Sequence, residues 1–227
     1  MNIFVILSGG NSSRLGGLIP KQYIKVKEKM IIEHSIERAC ETECVDAFYI
    51  VAAKEWQDEI RKVIPKTNKF KGFCNPGANR QLSILSALES IDERQKQKEI
   101  YVMIHDAARP KITSKQIREC FEGVVGHDGL MPVLPMKDTV YLSQDGKTIT
   151  SMLNRSQVVA GQAPEVFEFT KYLKANRALL PDAIKKINGS SEPAIMAQMD
   201  LVIIPGDERN YKITTSDDLD RFITDET

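Results

Sequence analysis

Two cations stand where a polyphosphate would need them. Arg14 lies inside the run Ser8-Gly9-Gly10-Asn11-Ser12-Ser13-Arg14-Leu15-Gly16-Gly17, and Lys21 follows in Pro20-Lys21-Gln22, both directly after an apolar, β-prone segment at 3–7. Residues without Cβ bulk let backbone N–H groups approach phosphate oxygens closely, and fixed cations neutralise the charge those oxygens carry. The same composition also describes an ordinary exposed turn, and the loop alone does not separate the two readings. Its spacing fits neither the Walker pattern nor the dinucleotide fingerprint, which disfavours a P-loop NTPase or a dehydrogenase.

A second group with chemical content is His105-Asp106-Ala107-Ala108-Arg109-Pro110, at the end of another apolar run. In an open α/β sheet the carboxyl ends of the strands face the ligand crevice, so Asp106 and Arg109 should open on the same mouth as the first loop. An aspartate beside a polyphosphate suits Mg²⁺, which takes one or two carboxylates together with phosphate oxygens and water. A surface Asp–Arg ion pair is the plainer alternative for this group in isolation.

The elements that must position these residues alternate. Strands are expected near 3–7, 47–52, 100–105, 129–134 and 201–205, and helices near 31–40, 55–63, 82–90, 115–125, 169–180, 194–199 and 217–223, the last with Thr215 or Ser216 as N-cap. Such alternation predicts a mostly parallel sheet covered on both faces, in a single domain spanning 1–227. One segment breaks the rhythm: residues 140–150 read as two short strands around Asp145-Gly146, the strongest local hairpin signal. A hairpin inserted into a parallel αβ chain projects as an arm whose edges invite a second subunit, so a homodimer through an arm at about 138–155 is expected, against a solvent-exposed hairpin without a partner.

Composition narrows the partners. The 227 residues carry 31 basic and 31 acidic side chains, a net charge of zero, which argues against nucleic acid as the main ligand. No apolar run approaches the ~20 residues of a membrane span, and the N-terminus enters a strand without a signal-peptide pattern, so a cytoplasmic protein with no membrane partner is expected. Cys40, Cys44, Cys74 and Cys120 form no CxxC pair and read as free, mostly buried thiols. The histidines are His34, His105 and His127, and His105 reads as a structural strand-end residue.

Further motifs occur in a definite order: Gly77-Ala78-Asn79-Arg80-Gln81-Leu82-Ser83, Lys137-Asp138-Thr139, Asn154-Arg155, Gln162-Ala163-Pro164 and Asn210-Tyr211-Lys212-Ile213-Thr214-Thr215. Together with the first loop and His-Asp-Ala-Ala-Arg-Pro, and nearly end to end, the chain resembles the 2-C-methyl-D-erythritol 4-phosphate cytidylyltransferases and their close relatives, the ribitol-5-phosphate cytidylyltransferases. The resemblance implies a Rossmann-like three-layer α/β/α nucleotidyltransferase fold with a protruding β-hairpin arm. It also implies transfer of CMP from CTP to a polyol phosphate with release of pyrophosphate.

By the same resemblance Arg14 and Lys21 stabilise charge on the α-phosphate and the departing pyrophosphate, each contributing ~10²–10³ in rate. Gly77 and Ser83 would read the cytosine, with Leu7, Ser8, Gly9 and Gly10 completing the nucleotide site. Asp106 would hold Mg²⁺ or a hydroxyl, and Arg109, Thr139 and Ser191 would contact the acceptor. Arg155, across the dimer, and Lys212 would grip the acceptor phosphate and aim it. An acceptor phosphate is already anionic near neutral pH, so in-line attack needs no general base, consistent with a candidate site lacking a Cys–His or Ser–His pair.

The departures gather on the acceptor side. Ala163 stands where the relatives carry threonine, Glu165 where they carry glutamine, and Ser190-Ser191-Glu192-Pro193 replaces a Thr-Asp pair. Ser12 replaces a glycine of the phosphate loop, while Arg14, Lys21, Asp106 and Lys212 are kept. The acceptor expected first is 2-C-methyl-D-erythritol 4-phosphate, and D-ribitol 5-phosphate or another surface-glycan polyol phosphate is the alternative. A catalytically silent dimeric relative is the reading from another class.

Overall fold

The computed structural model describes residues 1–10, 19–92 and 99–226. Its centre is a run of strands too apolar to face water. β1 (Asn2–Leu7), β4 (Ala47–Val51) and β6 (Tyr101–Asp106) lie parallel, with Ile3 opposite both Ala47 and Val102. Ile3, Phe4, Val5, Ile6, Phe48, Tyr49 and Ile50 are fully buried, and each large apolar side chain so placed contributes ~1.5–3 kcal/mol. Strands buried on both faces need helices above and below, and the helices supply them.

Two antiparallel pairs of short strands complete the numbering outside this sheet: β2 (Lys25–Val26) with β3 (Lys29–Met30), and β8 (Val140–Leu142) with β9 (Ser151–Leu153). The sheet itself runs β5 (Phe70–Cys74), β4, β1, β6, β11 (Glu165–Glu168), β7 (Gly129–Pro135). β10 (Val159–Gly161) pairs antiparallel with β7 on the side that β11 also uses, and β12 (Leu201–Pro205) pairs parallel with β7 on the other. The helices are α1 (Ile31–Glu41), α2 (Lys54–Val63), α3 (Arg80–Asp92), α4 (Ser114–Gly123), α5 (Phe169–Arg177), α6 (Glu192–Met196) and α7 (Ser216–Asp225). One buried cluster sets Ile32, Ile36 and Ile117 against Phe4 and Ile50, and a second sets Ile84, Leu88 and Tyr172 against Ile3, Val5 and Tyr49. Helices thus cover both faces of the sheet, the expected three-layer α/β/α arrangement.

The strand and helix order of the sequence reading holds within a few residues, and Thr215 is the cap of α7, its hydroxyl accepting from the Asp218 amide. Five strands went unread: the short pair β2 and β3, and β5, β10 and β11 of the sheet. β5 carries Lys71 and Gly72, with a register shift opposite Phe48 and Tyr49 that breaks the period-2 pattern. β11 follows Pro164 and leads directly into α5.

The hairpin is a correction in detail. Its second strand is β9, not residues up to 150: Asp145-Gly146 sits inside the long connecting loop, where the Asp145 carboxylate accepts from the Lys147 and Thr148 amides and Gly146 takes φ +67°. Asp-Gly here closes an aspartate-capped loop rather than a two-residue turn. No helix among the described residues is long and apolar enough to cross a membrane. Cys74 and Cys120 are buried and Cys40 and Cys44 half-buried, all as free thiols, and burial pushes the Cys120 thiol up to about 12.

Candidate active site

β1 pairs with β4 on one side and β6 on the other, so the strand order reverses around it and a crevice opens at the carboxyl ends of β1 and β6. Leu7 lies opposite Asp106, and the Ala107 amide donates to the Leu7 carbonyl at 3.0 Å. The first loop and the Asp106 turn therefore begin side by side, as their chemistry requires.

The start of the first loop is pinned by the residues that follow Lys21. Gln22 Nε2 donates to the Ser8 carbonyl at 2.9 Å and to the Gly10 carbonyl at 2.8 Å, and the Tyr23 hydroxyl donates to the Ser8 carbonyl at 2.8 Å. Ser8 in turn donates its own hydroxyl to Tyr23. Lys21, which opens the 3₁₀ turn Lys21–Tyr23, is thereby fixed next to the Ser8–Gly10 backbone. Arg14 and Ser12 lie outside the described residues.

Glycine is required where this loop meets the start of α3. A Cβ on Gly9 would stand 2.5 Å from Pro76 Cβ, and one on Gly77 would stand 2.4 Å from Leu82 Cβ. The Gly77 amide donates to Ser83 Oγ at 3.0 Å, and Ser83 donates to the Asn79 carbonyl. Asn79 Oδ1 accepts from the Leu82 amide at 2.8 Å, satisfying one of the free donors of the first turn of α3. Gly77 and Ser83, expected to read one base together, are thus hydrogen-bonded to each other across a turn packed on Gly9.

The centre of the site is Asp106. Arg80 Nη2 approaches its Oδ1 at 3.0 Å, Lys212 Nζ its Oδ2 at 2.9 Å, and Arg109 Nε its Oδ2 at 3.7 Å. Burial alone would raise this carboxyl, but Arg80 and Lys212, then Arg109, hold it well below the usual carboxylate range. Arg80 is the first residue of α3, a position where the helix dipole disfavours a cation, and Asp106 offsets that.

Glu165 adds a second carboxylate behind the first. It is 7% exposed, accepts from the Ser190 hydroxyl, and is raised by burial against the opposing pull of Ser190, Arg80 and Arg109. The Tyr172 hydroxyl donates to the Ser190 carbonyl, and Gln81 Nε2 bonds Asn176 Oδ1, so this floor is a continuous polar network.

The structure brings Asp106, Arg109 and Lys212 together and sets Leu7 to Gly10 and Gly77 to Ser83 around them. Thr139 and Arg155 stay on the exposed arm, where Arg155 Nη1 donates to the Lys137 carbonyl. The hydroxyl that reaches the cluster belongs to Ser190, not Ser191: Ser191 is the half-buried cap of α6, while the Glu192 carboxylate accepts from the Asn188 amide. Arg80 and Glu165 were missed as site residues, although Arg80 lies within the motif Gly77 to Ser83 and Glu165 directly follows Pro164.

His105 is the structural strand-end residue expected, with its Nε2 3.1 Å from Ser35 Oγ. Both are fully buried in the core, and burial lowers His105 to about 3, so the imidazole is neutral and closed to a substrate. His34 packs edge-on against Phe222, and His127 pairs with Asp200 at the surface.

Among the described residues no group of three or more His, Cys, Asp or Glu could cage a metal ion. A magnesium ion that arrives on phosphates needs only one or two protein carboxylates, and Asp106, ionised and at the mouth, meets that requirement.

The fold and this strand-end site define a doubly wound α/β protein with glycine-shaped turns and clustered cations at the switch point. The family model for 2-C-methyl-D-erythritol 4-phosphate cytidylyltransferase matches residues 2–223. A ribitol-5-phosphate cytidylyltransferase of Streptococcus agalactiae serotype V is 31% identical over 98% of this chain and 93% of its own. A 2-C-methyl-D-erythritol 4-phosphate cytidylyltransferase of Clostridium beijerinckii is 28% identical over 95% of this chain and 93% of its own. The crystal structure of 4-diphosphocytidyl-2C-methyl-D-erythritol synthase from Anaerococcus prevotii superposes with a TM-score of 0.82, at 20% identity, over 99% of this chain and 95% of that one. The chain belongs to the 2-C-methyl-D-erythritol 4-phosphate cytidylyltransferase family, enzymes that transfer CMP from CTP to a polyol phosphate.

Proposed function

We propose that the crevice at the ends of β1 and β6 binds CTP and a polyol phosphate and joins them by in-line displacement of pyrophosphate. The observation that carries this reading is the convergence of Arg80, Arg109 and Lys212 on one ionised carboxylate beside the Ser8–Gly10 backbone. Two anions must meet here, so the chain's work is to neutralise and orient them rather than to move protons.

In this reading Gly77 and Ser83 read the cytosine beside Leu7, Ser8, Gly9 and Gly10, and Arg14 and Lys21 hold the phosphates. Arg109 and Lys212 hold the acceptor, with Thr139 and Arg155 from an arm. Ser191 would also contact the acceptor, while Ser190 holds Glu165 behind the cluster. Asp106 would be the protein contact of a magnesium ion bound with the triphosphate, which would supply charge neutralisation. Chelation should abolish turnover and added Mg²⁺ should restore it.

A second copy of the chain completes the site. Tyr141 and Met152 face each other across β8 and β9, 51% and 69% exposed, and among the described residues the two strands form a sheet of their own. An isolated two-stranded hairpin is marginal in water, so its apolar face calls for a cover, which the same arm of a symmetric partner provides. Such an enzyme works in the cytoplasm, where CTP is available.

The first acceptor to test is 2-C-methyl-D-erythritol 4-phosphate. D-Ribitol 5-phosphate is a second reading, favoured by the 31% identical streptococcal relative and by Gly161-Gln162 before Ala163-Pro164. Protein, CTP and Mg²⁺ are incubated with each acceptor and pyrophosphate is measured. Release with one of them supports the reading, and CTP binding without release from any polyol phosphate supports the silent relative instead.

A further inference from the structure

Lys212 reaches Asp106 from a segment that has no regular secondary structure between β12 and α7. What fixes that segment is the polypeptide leaving the arm. Gln162 follows β10 directly, and its side chain is 95% buried. Its Nε2 donates to the Asp207 carbonyl at 2.9 Å and to the Asn210 carbonyl at 3.3 Å, and its Oε1 accepts from the Asp207 amide at 3.1 Å. Asn210, 1% exposed, returns a bond from Nδ2 to the Ala163 carbonyl at 2.9 Å. Arg109 Nη1 donates to the same Asn210 carbonyl at 2.8 Å, and the Ile213 amide donates to the Ala108 carbonyl at 2.9 Å.

Lys212 therefore hangs between two anchors, Asn210 and Ile213, and the first of them is held by Gln162. The fit is close, since a Cβ on Gly206 would stand 2.9 Å from Gln162 Oε1. An apolar group in place of this buried amide would leave the Asp207 amide unpaired and would take one of two donors from each of the Asp207 and Asn210 carbonyls, which keep the Asn210 amide and Arg109. The exposed ion pair between Lys137 and Glu208 also joins the arm's root to this loop, but both partners are in solvent and such pairs contribute little.

We propose that Gln162 is the positioning residue for Lys212, coupling the root of the arm to the cation that aims the acceptor phosphate. The inference rests on the role given above to Lys212. Displacing a reacting group by about 1 Å can cost ~10²-fold in rate, so loosening this anchor should be felt in turnover before it is felt in CTP binding.

The test combines hydrogen exchange with a double-mutant cycle on the full-length protein. In Gln162→Met, amide exchange should quicken at Asp207 and over 210–213, while the amides of β1 and β6 keep their protection. With the acceptor that supports turnover, kcat should fall about tenfold to hundredfold with the KM for CTP unchanged. In a Lys212→Gln background the same substitution should cost less than about twofold, because residues acting through one another are not additive. Gln162→Glu keeps the acceptor for the Asp207 amide and loses the donors, so it should fall between; it carries the test if Gln162→Met does not fold. Glu208→Gln should leave exchange and rate unchanged.

Unchanged exchange over 207–213, a fully additive loss in the Lys212→Gln background, or quickened exchange throughout the sheet would each overturn the proposal. Wild-type turnover by Lys212→Gln alone would instead remove the role of Lys212, whereas the exchange result needs no acceptor and stands apart from the reaction.

Discussion

At the ends of β1 and β6, Asp106 is answered by Arg80, Arg109 and Lys212 from the same chain, and Glu165 by Ser190. The arm is made on different terms: among the described residues β8 and β9 form a two-stranded sheet of their own, and Tyr141, Leu142, Ile149 and Met152 face solvent. One region is folded to completion by a single chain, and the other is left with an apolar face that a single chain does not cover. In the proposed function the nucleotide is held by this finished scaffold alone, whereas the acceptor would need Thr139 and Arg155 from an arm besides Arg109 and Lys212.

The sharpest blow to the finished half is Lys21→Ala. Loss of a preorganised cation on the phosphates should reduce turnover by ~10²–10³, seen as pyrophosphate release, while sedimentation still reports dimers. Next is Asp106→Ala, which leaves Arg80, Arg109 and Lys212 unbalanced. Removing one member of a buried ion cluster costs ~3–5 kcal/mol, and because Arg80 and Lys212 are each about a third exposed the low end, about 3 kcal/mol, is expected in denaturant unfolding.

Deletion of residues 141–149 strikes only the unfinished half. It should give folded monomers of low activity, and a fully active monomer in sedimentation would erase the contrast between the two regions. The smallest effect belongs to Ser83→Ala, which removes the hydroxyl between Gly77 and Asn79. A single neutral hydrogen bond is worth about 1 kcal/mol, so the KM for CTP should rise about fivefold with stability little altered.

The finished half was the more legible in sequence, because local rules write it. Ile3 to Leu7 running into Ser8-Gly9-Gly10, and Ile104 to Asp106 running into Ala107-Ala108-Arg109, reveal strand ends by hydrophobicity and turn chemistry alone. Glu165 and Arg80 were not legible as neighbours of Asp106, since Glu165 comes there through the antiparallel pairing of β11 with β6 and Arg80 through the start of α3, long-range placements that no local pattern encodes. The arm was legible as a hairpin but misplaced in register, because Asp145 caps a long loop with its side chain instead of turning the chain in two residues. Ser35 and His105 come together across the packing of α1 on β6, which converts a suggestive pair of residue types into core structure.

The most direct test of the division between the two regions is subunit complementation. Lys212→Ala and Arg155→Ala proteins, each inactive alone, are unfolded together, refolded as a mixture and assayed for pyrophosphate release with CTP and the acceptor. If the arm of one chain completes the site of the other, half the dimers are mixed and each mixed dimer holds one intact site, so about a quarter of wild-type activity should return. No recovery in a mixture shown to contain mixed dimers would contradict the account and place Arg155 in its own chain's site or in none.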